Sequence, residues 1–529
     1  MRVKKFGFVL FLSILCIILF GCSSDSGTTN EVEGNTNDAN GEKIESGELN
    51  FAYHVQPPTL DVHFTTSYDT RDIGKQIFES LVTFDSKLEV QPMLAESYEV
   101  SEDGKEVIFN LREGVPFHNG EEMKSDDVVA SMEKWQEQSS KAKNYLAVST
   151  YEAVDDYTVV AHIDDPTTLD MLIFADIKQL AAIMPKEVVE SAGADGVVEY
   201  IGTGPFKFEE WKKDQYIHLS KFADYQPRSE STDGMAGEKK ALVDDLYINF
   251  VTDSSTRIAG IQSGEYDIAS AIPLDNVDML RGNEDVNIDL DMEAFTGFIF
   301  NKRAGFLSDE TARKAVNAAV NVEELLIAAY GDEEFYDLDP GLMLQDQEEW
   351  YTNAGNKQYR TYDPEFAKQL LDESGYNDEE ITIIVSRDHD DYYNMSVVLQ
   401  EQLKAIGMNV ELEVYDWSAL MERRSDEDAY NIFSTNFGFE PTPIVYPFLD
   451  PEWVGWTDSE EIANLIDEIQ HADSQDEAKQ HVETLQEAMW EYLPIIKVGN
   501  NIEATAMSSS VNGLTRLDGV NLWNASKAE

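Results

Sequence analysis

From Leu49 onward, the apolar positions follow two periods that take turns along the chain. Short runs rich in β-branched and aromatic residues predict strands at Leu49–His54, Val107–Leu111, Thr158–Ile163, Ile217–Lys221, Asp244–Val251, Gly297–Asn301, Ile381–Ser386, Asn409–Val414 and Asn431–Thr435. Between them lie stripes with helical spacing. Ala312, Ala315, Val316 and Ala319 share a face behind a capping Ser308. Ile462, Leu465, Ile466 and Ile469 form a second stripe, and Ala478, Val482, Leu485 and Met489 a third; all read as core faces. Asp363-Pro364 places a capping Asp before a first-turn proline, Gly375 ends that helix, and a helix from about Tyr393 stops at Gly407. Glu102-Asp103-Gly104-Lys105 and His118-Asn119-Gly120 are turn chemistry, and Ser125 with Asp126 and Asp127 marks a helix start. No internal repeat is present. The pattern predicts a mixed α/β body of more than one lobe.

The N-terminus departs from this pattern. Arg2, Lys4 and Lys5 precede a 15-residue apolar run, Phe6 to Phe20, broken only by Gly7 and Ser13. That run is short for a membrane span, which needs about 20 residues, but suits the apolar region of a signal peptide. It ends in Leu19-Phe20-Gly21-Cys22-Ser23-Ser24, which resembles a bacterial lipobox; residues 1–21 would be removed and Cys22 lipidated. Residues 22–48 then hold few apolar positions and read as a lipidated Cys on a flexible stalk. The expected location is the outer face of the cytoplasmic membrane, reached through a lipid anchor.

Composition narrows the partners. The chain has 529 residues, about three domains' worth. It carries 102 Asp+Glu against 39 Lys+Arg, a formal charge of −63. So acidic a chain is a poor match for nucleic acid, whose phosphates need Lys and Arg. Its two cysteines, Cys16 and Cys22, both precede the globular part, so disulfides, Cys nucleophiles and thiolate metal sites are not expected there. Gly74-Lys75 and Gly104-Lys105 lack the rest of a phosphate-binding loop, and neither H-E-x-x-H nor G-x-S-x-G occurs. Asp388-His389-Asp390-Asp391 concentrates oxygen ligands around an imidazole, but it follows a predicted strand and reads as a solvated turn. No enzyme, metal or cofactor is expected.

Four stretches together resemble the large solute-binding proteins that serve peptide and nickel ABC importers, family 5. These are Pro58-Thr59-Leu60-Asp61 with residues 77–82; residues 94–135; Gly202-Thr203-Gly204-Pro205-Phe206 with residues 262–267; and Gly297–Asn301 with Arg313 and residues 362–376. The resemblance implies a class II periplasmic-binding-protein fold. Lobe I would hold 47–79, 201–290 and 495–529, with an inserted subdomain at 80–200, and lobe II would hold 291–494. It also implies a monomer that closes by a hinge around a peptide and docks on ABC permease and ATPase subunits. The same clamp could instead hold a nickel-chelate, haem, glutathione or an oligosaccharide, or serve a surface sensory lipoprotein.

For the site, the resemblance implies that Arg387 holds a ligand carboxylate and that Trp417 lies near the cleft. The amine-binding Asp of peptide-binding relatives has no counterpart in register. The stretch Phe437-Gly438-Phe439-Glu440 replaces it, with Glu440 as the nearest acid. Tyr53 and His54, at the end of the first predicted strand, complete the candidate ligand-binding set.

Overall fold

A computed structural model describes residues 47–529 apart from Ala194, Asp195, Asp346, Phe439, Asp473 and Glu529. The apolar leader, Cys22 and the stalk up to residue 46 lie outside the described residues. Seven of the nine expected strand runs gather into one 11-stranded mixed sheet. Its order is Asn409–Tyr415, Glu380–Ser386, Ile432–Gly438, Val286–Phe300, Ile495–Ser508, Ile268–Ala269, Glu48–Tyr53, Asp245–Phe250, Tyr216–Lys221 and Phe206–Lys212, with Tyr336–Asp337 paired to Ile495–Ser508 off this path. All nine expected strands are present, in a mixed α/β fold.

Two long antiparallel strands, Val286–Phe300 and Ile495–Ser508, join the halves of this sheet. One end pairs with Ile268–Ala269 and the other with Ile432–Gly438. The expected strand Gly297–Asn301 is thus the tail of a 15-residue strand. Its first part was hidden because Asp289 and Asp291 alternate with Ile288 and Leu290, which lowers the apolar signal. Helices cover the sheet, and a separate antiparallel four-stranded sheet, Ala95–Val100, Glu106–Leu111, Thr158–Ile163 and Val148–Asp155, occupies part of 80–200. Phe109 and Trp135 pack on Phe174, at ring distances of 5.4 and 6.2 Å, in the core beneath it.

Capping follows short polar side chains, with one shift. Asp309, not Ser308, caps Glu310–Ala319, accepting from the Ala312 N–H at 2.9 Å, while Ser308 donates to the Gly305 carbonyl. Asp and Ser are comparable caps, and an acidic side chain is also favoured at the helix's positive end. Asp363 caps Pro364–Glu373 as expected, and Gly375 sits at φ +76° beyond its end. The helix before Gly407 runs Asp390–Ala405, starting three residues before the expected start at about Tyr393. The added residues are Asp390 and Asp391, from the stretch that read as a solvated turn, and Tyr392.

The Gly202-Thr203-Gly204 motif is scaffold. A Cβ at 202 would run into the Ile77 carbonyl, and one at 204 would lie 2.7 Å from the Gln76 carbonyl oxygen. The same corner fixes His118: the Gly202 N–H donates to Nδ1 at 3.2 Å, and Nε2 donates to the Gly204 carbonyl at 2.9 Å. Both nitrogens are used by the neutral ring, and burial pushes the imidazole from 6.5 down to about 4. Folded His118 therefore resists a proton that the unfolded chain accepts, so its stabilising contribution is lost as pH falls from about 6.5 toward 4. Urea melts of wild type and His118→Gln are expected to show the difference between them shrinking by about 1.4 kcal/mol per pH unit over that range. A pH-independent difference would contradict a neutral, buried His118.

Candidate functional site

Where the two halves of the sheet meet, a cleft of about 950 Å³ opens. It is near the top of the size range of small-molecule sites, about 300–1,000 Å³. A second hollow of about 430 Å³ shares Thr66, Tyr68 and Asn436 with it. A third, of about 160 Å³, shares Asp291 and Arg516 with the first and Lys178 and Glu440 with the second. A separate hollow of about 600 Å³ beside the helices Ser125–Gln138 and Lys186–Glu190 has no residue of the long strands in its wall.

Each wall is built at the carboxyl ends of parallel strands, where an α/β sheet leaves a crevice. On one side, Glu48–Tyr53 lies parallel to both Asp245–Phe250 and Ile268–Ala269 and delivers Tyr53, His54, Ser270 and Ala271. The Tyr53 hydroxyl donates to Asp72 at 2.8 Å, and burial pushes it well above the usual phenol range. His54 contacts the Ser270 hydroxyl through Nδ1 at 3.1 Å. On the other side, Glu380–Ser386 lies parallel to Asn409–Tyr415 and Ile432–Gly438, and the chain beyond these ends delivers His389, Asp391, Tyr392 and Trp417. The Trp417 N–H donates to Asp388 at 2.7 Å; the His389 ring meets Trp417 edge-on at 4.5 Å and stacks on Tyr392 at 4.9 Å. Asp291, Glu503 and Thr505 come from the two long strands that connect the walls.

The cleft is rich in carboxylates. Asp69, Asp72, Asp291, Asp391 and Glu503 all line it. Asp72 is met by Arg71 at 2.8 Å, and by Lys75 at 3.8 Å, whose burial pulls it down to about 7. Arg516 binds Asp289 at 2.6 Å and reaches Asp291 at 3.7 Å. Burial works to lower the Arg516 pKa, but Asp291 and Asp289 outweigh it and hold the guanidinium above its ordinary range. Asp69, Asp391 and Glu503 form no ion pair among the described residues. Burial raises the carboxyls of Asp69 and Asp391. No group of three or more His, Cys, Asp or Glu side chains among the described residues converges closely enough to hold a metal ion.

Of the candidates from sequence, Tyr53, His54 and Trp417 line the main cleft, and Phe437, Gly438 and Glu440 line the second hollow. Phe437 is largely committed to an aromatic cluster with Phe295, Tyr446, Phe448 and Trp453. A Cβ on Gly438 would stand 2.9 Å from the Tyr68 hydroxyl, so glycine lets this strand end approach the opposite wall. Glu440 already receives Lys141 at 2.6 Å and Lys178 at 3.0 Å, with Asp176 on Lys141 at 3.0 Å. Phe439 lies outside the described residues. Arg387 is exposed, stacked over Tyr393 at 4.5 Å, and is absent from the linings of these three hollows. The guanidinium on the cleft wall is Arg516 instead. Asp69, Asp291, Asp391 and Glu503 line the cleft as well; of these, Asp391 alone stands in a stretch singled out from sequence, where it read as part of a solvated turn.

A family model, Bacterial extracellular solute-binding proteins, family 5 Middle, matches residues 89–456. The chain is similar to the probable peptide ABC transporter periplasmic-binding protein y4tO of Sinorhizobium fredii, 29% identical over 491 residues, which cover 88% of this chain and 90% of that one. The oligopeptide-binding protein AppA of Bacillus subtilis is 24% identical over 438 residues, 78% of this chain and 76% of AppA. Among solved structures, AppA with a nonapeptide superposes with a TM-score of 0.76 at 20% identity, covering 92% of this chain and 100% of that one. AgaA from A. tumefaciens R10, in complex with agropinic acid, gives a TM-score of 0.77 at 24% identity, covering 91% and 99%.

Proposed function

We propose a function from one premise: the chain belongs to the bacterial extracellular solute-binding proteins, family 5. Its fold is that of the periplasmic binding proteins. The protein captures short peptides in the cleft between two lobes, lobe I with its insertion at 80–200 and lobe II, and presents them to an ABC importer. It is tethered outside the membrane through Cys22. The observation that carries this reading is the cleft itself. Aromatic and polar groups from both halves of the sheet face one hollow of about 950 Å³, with the long strands between them. A ligand that touches both walls is best held when they are shut, so binding shifts the open–closed balance toward the form that the permease accepts. The peptide names carried by relatives such as AppA and y4tO support the ligand class.

The aromatic side chains supply contact area without demanding one sequence, which suits a varied peptide. Glu440, held by two lysines, is replaced as receiver of the ligand amine by the wall carboxylates. Mass spectrometry of material co-purified with the protein, followed by calorimetry with peptides of two to eight residues, is expected to find binders at micromolar affinity or tighter. A co-purified non-peptide and no peptide binding at any length would overturn the peptide assignment.

A further inference from the structure

We infer that the cleft selects net-positive ligands: short peptides carrying a basic side chain in addition to their free amine. This rests on the peptide reading above and specifies the chemistry of the ligand.

Three observations support it. Asp69, Asp391 and Glu503 line the cleft outside any ion pair among the described residues, with His54 and Arg71 acting on Asp69, His389 on Asp391, and Arg257 and Arg516 on Glu503 from longer range, and they sit on different parts of it: one wall, the other wall and a connecting strand. Each accepts a hydrogen bond, from Ser67, Tyr330 and the Ala271 N–H respectively, and none of those donors carries charge. Asp291 and Glu503 are also direct cross-strand partners in the pairing of the two long strands. Like charges placed opposite each other in a sheet repel, and Arg516 comes within ion-pair distance of Asp291 while acting on Glu503 from farther away. Finally, Thr505 lines the cleft at 1% exposure, and its hydroxyl has no hydrogen-bond partner among the described residues. A buried hydroxyl without a partner is costly unless something completes it.

The spread of the charges identifies the ligand. Carboxylates that do not converge on one point suit an extended organic cation with its charges separated along a chain, and not a bare metal ion. Arg516 offers an anion a place on the wall: its buried Nη2 has no hydrogen-bond partner among the described residues. One guanidinium against three carboxylates that form no ion pair among the described residues matches a peptide with one carboxylate, one amine and a further ammonium or guanidinium. In a partly enclosed cleft these fields are focused and poorly screened.

The test is calorimetry on the full chain with Ala-Ala-Ala, Ala-Lys-Ala and Ala-Glu-Ala at fixed pH and salt, with spermidine as a non-peptide cation. Ala-Lys-Ala is expected to bind at least tenfold tighter than Ala-Ala-Ala, with Ala-Glu-Ala weakest. Asp391→Asn and Glu503→Gln should each cut affinity for Ala-Lys-Ala at least fivefold and narrow its advantage over Ala-Ala-Ala, with unfolding midpoints confirming the fold. Peptide binding without charge preference would overturn this inference and leave the peptide reading standing. Spermidine binding that Asp391→Asn weakens, with no peptide bound, would keep the charge selection and remove the peptide reading. Binding of none of the four would overturn the charge selection.

Discussion

Glu440→Ala is expected to destabilise the protein by about 3 kcal/mol, toward the lower end of what breaking a buried ion pair costs. Its side chain is 11% exposed and lies between Lys178, 9% exposed, and Lys141, 14% exposed. Burial alone would drive protons off both lysines. Asp176 and Glu440 reverse this for Lys141, and Glu440 does so for Lys178, so both are held charged above their ordinary range. Without Glu440, Lys141 keeps Asp176, whereas Lys178 has no carboxylate within ion-pair distance among the described residues. Most of the loss is therefore the ammonium of Lys178, left with the more distant Asp518 as its main opposite charge. Removing that charge as well, in a Glu440→Ala/Lys178→Met double variant, should recover part of the loss in urea melts. A loss below about 1 kcal/mol would mean that the cluster is open to water in the free protein, with the two sides parted.

Arg313→Met should cost as much or more, about 3–5 kcal/mol. Arg313 is 1% exposed and lies over the Tyr492 ring at 4.7 Å. Its guanidinium donates to the carbonyls of Leu307, Ser308, Tyr492 and Leu493, at 2.7–3.2 Å. Hydrogen bonds from a charged donor contribute about 1.5–3 kcal/mol each, and buried carbonyls left without a donor add a desolvation penalty. Those carbonyls belong to the approach to Glu310–Ala319 and to the turn that feeds Ile495–Ser508, so the side chain ties the second crossing strand to the helix layer. Arg313→Lys keeps the charge but offers fewer donors in a different geometry, so it should fall between wild type and Met in denaturant unfolding. A Met variant within 1 kcal/mol of wild type would show that water replaces the guanidinium at these carbonyls.

Local chemistry made most of the fold legible. Every expected strand is present because β-branched runs bounded by polar turns carry their own signal, and the Asp363-Pro364 and Gly375 ends of one helix are fixed by backbone geometry. The signal failed where polar residues do structural work. Asp390 and Asp391 looked like solvent-facing turn residues and instead form the first turn of a helix whose His389 and Asp391 face the cleft. Asp289 and Asp291 interrupted an apolar run and concealed the front half of the longest strand. Of the site, Tyr53, His54 and Trp417 were legible because each ends a strand or opens the helix after one. Glu503 and Arg516 were not: what brings them to Asp291 is strand pairing and chain return across more than two hundred residues, which no local pattern records.

The pairing of Val286–Phe300 with Ile495–Ser508 has a mechanical consequence. Because the two strands are bonded to one another along their length, the link between the halves is a stiff shaft, not a pair of slack cords. A swing of one half against the other must be distributed as torsion over many residue pairs. The irregularities at Met292/Ala294 and Thr296/Gly297 are the points where the shaft is most readily wound. Strand torsion has a preferred hand. In the closure proposed above, the walls that carry Asp69 and Asp391 would approach each other by winding this ribbon, so the grip on a ligand would include twist as well as compression.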